Sequence, residues 1–203
     1  MTDYCLNFAG RKLWLLFSAF FILVLSGCAA TNSPSRAKED VPPLTFLDGP
    51  GPYSSECDAD AGHYVETNIS ASSDKLHATG IMRFLELRSH PNWAASASIT
   101  FAGPNRNSFM GLQAIVMPDA PNSIQFAIIG QGGAQDHTVF GSTPITDAMI
   151  PFEVTVTKPG ELEVSVAGQS ARLEVRRFEP TRLSLFCSTA RVIFSNVVVK
   201  ANA

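Results

Sequence analysis

Phe152-Glu153-Val154-Thr155-Val156-Thr157 alternates apolar and polar side chains without a break. Successive side chains of an extended strand point to opposite faces, so this period of two puts the apolar groups on one side and the polar groups on the other. Lys158-Pro159-Gly160-Glu161 follows, and Pro then Gly suit positions i+1 and i+2 of a type II turn. The alternation resumes as Leu162, Val164 and Val166 against Glu161, Glu163 and Ser165. Ala167-Gly168-Gln169-Ser170 makes a second turn, after which Leu173 and Val175 alternate with Arg172, Glu174 and Arg176. The reading is a three-strand antiparallel meander with one apolar face.

Working outward, the same period marks Thr45–Leu47, His63–Thr67, Gly80–Arg88, Ser96–Ala102, Phe109–Met117, Ser123–Ile129 and Thr138–Phe140 before the meander. Arg182–Cys187 and Arg191–Lys200 follow it. Turn residues separate them, notably Gly103-Pro104-Asn105, Pro118-Asp119-Ala120-Pro121-Asn122 and Gly130-Gln131-Gly132-Gly133. Ile145–Ile150 reads as a single helical turn, and no amphipathic helix is evident. Many short strands at close spacing predict an all-β fold, an antiparallel two-sheet sandwich over residues 44–203.

The other end of the chain is of a different kind. Arg11 and Lys12 precede the apolar run Leu13–Gly27. A helix over those 15 residues is about 22 Å long, short of a hydrocarbon core of roughly 30 Å. A positive flank before a short apolar core reads as a signal peptide, residues 1–27. Residues 28–43, rich in Ser, Pro, Ala and charge, read as a flexible tether with a reach near 20 Å. Removing Asp3, Arg11 and Lys12 with the signal leaves 13 basic against 17 acidic side chains, spread without a basic stripe. Nucleic acid is therefore not an expected partner.

Leu25-Ser26-Gly27-Cys28 resembles the lipobox of bacterial lipoproteins, an aliphatic residue and two small ones before a Cys. The resemblance implies that the chain is cut before Cys28 and that Cys28 carries lipid, which anchors the protein in a membrane. Ala29, where that family places Asp for inner-membrane retention, implies the outer membrane, with the domain facing the periplasm. Of the four cysteines, Cys5 then leaves with the signal and Cys28 is lipidated. Cys57 and Cys187 remain in an oxidising compartment, where a disulfide is expected; two buried free thiols are the alternative.

The C-terminal segment from Gly160 resembles the end of a concanavalin A-like jelly roll, a family that often closes with an apolar-x-Phe-x-Asn-Val-x-Val strand. Val192-Ile193-Phe194-Ser195-Asn196-Val197-Val198-Val199 is similar to it. The resemblance implies that the first and last strands lie together, which would bring Cys57 towards Cys187.

That fold class includes glycosidases, which need paired carboxyls. Glu161 and Glu163 share a strand face, but the Glu-x-Asp-x-x-Glu pattern of jelly-roll glucanases fails at Val166. The pair reads as the solvated face of a half-exposed strand. Glu86, set between Leu85 and Leu87, is a less ordinary position and a candidate. The four histidines, at 63, 77, 90 and 137, show no zinc-ligand spacing, so no metal site or cofactor is expected from local motifs. Gly130-Gln131-Gly132-Gly133 lacks a third spaced glycine and reads as a turn. The main ligand candidate is the loop His90-Pro91-Asn92-Trp93, where Trp93 can stack on a sugar face and His90 and Asn92 can bond hydroxyls. Arg106 and Asn107 would extend it as a polar rim; the plainer reading is that Trp93 caps the core. The expectation is a lipid-anchored, non-catalytic binding or structural module of the cell envelope, for glycan or an envelope protein. The alternatives are a carbohydrate-active enzyme with dispersed carboxylates and a simple spacer.

Overall fold

The computed structural model describes residues 45–47, 51–71, 73, 75–104, 108–131, 137–146, 149–174 and 179–201. The signal, the tether, Cys28, Arg106 and Asn107 lie outside them. The described residues form thirteen strands and no helix: β1 (Thr45–Leu47), β2 (Tyr53–Asp58), β3 (Tyr64–Ser70), β4 (Leu76–Leu87), β5 (Ala95–Ala102), β6 (Phe109–Val116), β7 (Ser123–Gly130), β8 (His137–Pro144), β9 (Ile150–Lys158), β10 (Glu161–Val166), β11 (Gln169–Glu174), β12 (Arg182–Ser188) and β13 (Ala190–Ala201). Seven strands make one sheet in the order β1-β3-β12-β5-β6-β7-β8, and six make the other in the order β11-β10-β9-β4-β13-β2. Neighbours are antiparallel except β1 and β3, which run parallel. The all-β two-sheet sandwich is therefore the architecture.

The meander forms as its alternation predicts, with β9, β10 and β11 adjacent. Phe152, Val154 and Val156 bury with Leu162, Val164 and Val166. Gly160 takes φ +87°, as position i+2 of a type II turn requires. Ala167 (φ 49°) and Gly168 (φ 77°) together make the tighter hairpin turn, so β11 resumes at Gln169, earlier than the polar run indicates. Opposite this sheet, Ile99, Phe101, Met110, Leu112, Phe126 and Leu185 fill the core from the seven-stranded side. An edge is closed by Gln169, whose amide bonds both the N–H and the C=O of Ser142 on β8, at 3.0 and 2.9 Å. It gives that strand the partner it otherwise lacks.

Cys57 on β2 and Cys187 on β12 are disulfide-bonded, with Cα atoms 5.9 Å apart. The bridge joins the two sheets, because β2 belongs to one and β12 to the other. The expected neighbourhood of first and last strands is met by β2, which pairs with β13, whereas β1 lies in the other sheet beside β3. Between β12 and β13 the chain changes sheet through one residue, Thr189, at φ 52° and fully buried.

Three expectations are corrected. Ile150 opens β9 rather than closing a helical turn, since Phe152–Val156 extends the strand back to it. β4 begins at Leu76, not Gly80, because Leu76 and Ala78 pair with β9 and β13 and are buried. Glu161 shares the outward face with Glu163, as the unbroken β10–β11 register requires, but it is not solvated. The extra residue that β9 carries at Thr157 brings Thr157 and Lys158 over it, leaving the residue 7% exposed. There Lys158 Nζ lies 2.7 Å from its carboxylate and the Thr157 hydroxyl donates at 2.6 Å. Glu163 does face outward, paired with Arg172 on β11.

The Lys158 ammonium, then the Thr157 hydroxyl, hold the Glu161 carboxyl below the usual carboxylate range. The unfolded chain consequently takes up the proton first as pH falls. The stabilisation is complete above the ordinary carboxylate value and is lost as pH falls through the depressed folded one. Glu161→Gln should melt below the wild type at neutral pH, and the gap should close below about pH 4. Melting curves across that range check this; a constant gap would show that the carboxylate's charge is not the cause.

Candidate functional site

The outward side chains of the seven-stranded sheet form the floor of a groove. On β12, Leu183, Leu185 and Cys187 point into the core, so Arg182, Ser184 and Phe186 point out. By register they lie beside Glu66 and Asn68 of β3 and beside Ser98 and Thr100 of β5. Phe109 and Gln113 of β6 and Ile129 of β7 continue the same surface. The depression they line, with Tyr64, Ala102 and Arg182, has a volume of about 330 Å³. A second depression shares Phe109, Gln113 and Ile129 and runs on to His137 at the start of β8. The two make one groove crossing six strands from β3 to β8, about 24 Å at the usual strand spacing.

Its floor is small and polar but shielded. Ser98, Ser184 and Asn68 are all buried although they face away from the core. Ser184 Oγ lies 2.8 Å from Glu66 Oε1 and 2.6 Å from the Asn68 side-chain amide. One hydroxyl hydrogen serves one acceptor. With the Asn68 amide nitrogen turned to Ser184, the chain Asn68→Ser184→Glu66 gives the hydroxyl one donor and one acceptor and fixes the Glu66 carboxylate at the groove wall.

Rings line one end. Tyr64 and Phe186 stack with centroids 5.4 Å apart, and Trp93 lies nearly parallel to Tyr64 at 6.4 Å. Trp93 enters this row from the loop between β4 and β5. His90 and Trp93 form a local bridge, and His90 Nδ1 accepts the Asn92 N–H at 3.3 Å. The His90 ring rests on Gly62, where a Cβ would fall 2.8 Å from Nε2 and where φ is +79°. A side chain at 62 would displace the loop.

His90 and Trp93 line a smaller depression of about 230 Å³ at the sandwich end, with Arg88, Val116 and Pro118 among its walls. Asn92 is exposed beside it. Glu86 is in neither depression. A bulge at Leu85 breaks the alternation, so Glu86 faces solvent opposite Arg191. There it joins Asp58 around Arg88, at 3.0 and 2.7 Å. A third depression, on the six-stranded sheet, is walled by Glu153, Glu163 and Arg172, with Arg172 already satisfied by Glu163. Among the described residues that the sequence singled out, Trp93 alone adjoins the groove, through Tyr64. Tyr64, Glu66, Phe186, Ser184 and Arg182 were not singled out, because each is one alternate position in an ordinary strand.

Flat rings beside hydroxyl, amide and carboxylate groups suit an elongated ligand with apolar faces and polar edges. Among the described residues no cluster of His, Cys, Asp and Glu is placed to hold a metal ion. No family profile matches the sequence, and no curated protein matches it. Among solved structures, the chain is similar to the carbohydrate-binding module CBM66 from Bacillus subtilis, with TM-score 0.50 and 10% identity over 78% of this chain and 100% of that one. An alginate lyase from Pseudomonas aeruginosa aligns at TM-score 0.47 and 13% identity, over 64% of this chain and 65% of that one. Galectin LEC-6 from Caenorhabditis elegans aligns at 0.42 and 15%, over 66% and 89%. At such identities what is shared is the jelly-roll sandwich fold.

Proposed function

We propose that this chain is a lipid-anchored cell-envelope protein whose sandwich binds glycan without catalysis, in the groove of the seven-stranded sheet. The observation that carries the reading is the Tyr64–Phe186 ring pair at the end of a floor that holds the buried hydroxyls of Ser98 and Ser184. Sugar rings present C–H faces to aromatic rings and hydroxyls to such polar groups. The fold shared with the carbohydrate-binding module CBM66 supports it. A glycosidase would need a second carboxyl about 5–10 Å from Glu66. Glu66 is the one carboxylate among the described groove residues, which favours binding over hydrolysis. The lipid anchor at Cys28 rests on the Leu25–Cys28 pattern, and an outer-membrane position facing the periplasm on Ala29 after it.

Two measurements test the two halves. Detergent-extracted full-length protein on a glycan array should retain a defined set of oligosaccharides. Retention of none, with an envelope protein recovered by cross-linking, would replace glycan with a protein partner. Mass spectrometry of the mature N-terminus should find acylated Cys28; an unmodified Cys28 would remove the anchor.

A further inference from the structure

Arg182 opens β12 on the groove side and is 8% exposed. Its Nη1 donates to the Gly103 carbonyl at 2.7 Å, and its Nε is buried without a partner. Among the described residues no carboxylate lies within ion-pair distance of it, and its strand neighbours, Ser70 and Ala102, are uncharged. The groove's one described carboxylate, Glu66, is opposite Phe186, four positions along β12 and about 13 Å away. Arg88, Arg172 and Arg191, by contrast, each pair with a carboxylate. Arg83 also has an unpartnered Nε, but it is half-buried on β4 and borders none of the groove.

A guanidinium does not shed its proton, so burial cannot neutralise Arg182 as it could a lysine. A buried charge that lacks a counter-charge is costly. With Nη1 committed to Gly103 and Nε sealed from solvent, Nη2 is the nitrogen left to a ligand in the groove. It bonds an anion through a charge-assisted N–H···O contact. From the glycan reading of this groove, on which the step rests, we propose that the ligand is an anionic saccharide. Its carboxylate or sulfate pairs with Arg182 while neighbouring sugar rings lie towards Phe186 and Tyr64.

The test uses full-length protein in detergent and three probes: an oligouronate, the same oligosaccharide with its carboxyls reduced to alcohols, and a sulfated neutral oligosaccharide of equal length. Calorimetry should show at least tenfold tighter binding of one anionic probe than of the reduced one, weakening as salt rises. The uronate and sulfate arms identify which anion is meant. Arg182→Gln should abolish that preference, bringing the anionic probes to the affinity of the reduced one, and Arg182→Lys should restore part of it. Melting curves verify that both variants fold, and the comparison of probes on the wild type needs no variant. Equal binding of reduced and anionic probes would overturn the anion while keeping the glycan. An anionic preference untouched by Arg182→Gln would overturn the assignment of the residue. Binding of no saccharide would overturn both readings.

Discussion

Replacing Cys57 and Cys187 together by alanine should lower the melting temperature of the sandwich by roughly 10–20 °C. The two cysteines are 130 positions apart, so the bridge closes nearly the whole domain into one loop. Chain-entropy reasoning assigns a loop of that length about 4–5 kcal/mol, lost from the unfolded state when the bond is removed. Total stabilities are about 5–15 kcal/mol, so this is a large fraction. Native packing should resist less than entropy predicts, since both sulfurs sit in the core between β2 and β12 and alanine leaves only small gaps. Serine is the poorer choice, because its hydroxyl would be buried there. Calorimetry of the wild type with and without reductant reads the same effect. A reduced protein that melts at the oxidised temperature would show that the bridge does not hold the sheets together.

How much of this was legible differs from strand to strand. Phe152–Thr157 and Leu162–Val166 announce themselves because one face is buried and the other wet, and that contrast is what period two records. Tyr53–Asp58 did not, although it carries Cys57. It is an edge strand, and Cys57 is its one fully buried residue, so its sequence looks like a polar linker. Glu86 and Glu161 escaped local alternation for different reasons: a bulge at Leu85 turns Glu86 to solvent, whereas Glu161 keeps its outward face and is covered there by Lys158 and Thr157. The groove was hidden at a higher level. Alternation shows that Ser98, Glu66 and Ser184 point away from the core, and it reads them as solvated. It cannot show that β12 is inserted between β3 and β5, which brings Ser184 to Glu66 across 118 positions. Trp93 stood out as the one tryptophan of the domain, yet the ring it stacks on belongs to a strand nearly thirty residues earlier.

Tyr64→Ala should weaken glycan binding by about 10- to 100-fold while barely moving the melting temperature. A stacked sugar face covers apolar ring surface worth about 1–3 kcal/mol by area and ring geometry, and each 1.4 kcal/mol is tenfold in affinity. Tyr64 is half-buried and turned away from the core, so its removal opens no cavity between the sheets. Phe186→Ala should cost similar affinity and more stability, because Phe186 lies mid-strand between β3 and β5 and is packed from both sides. Trp93→Ala should have the smaller effect on binding, since Trp93 does not line the main groove and meets it only through Tyr64. Glu86→Gln is the control; Glu86 lies outside the groove and should leave affinity unchanged. The ordering matters more than any single value, because a ligand seated on the β4–β5 loop would reverse it. If Trp93→Ala abolishes binding of the array-selected oligosaccharide and Tyr64→Ala does not, the smaller depression beside His90 is the site. The groove across β3, β12, β5 and β6 would then be structural surface.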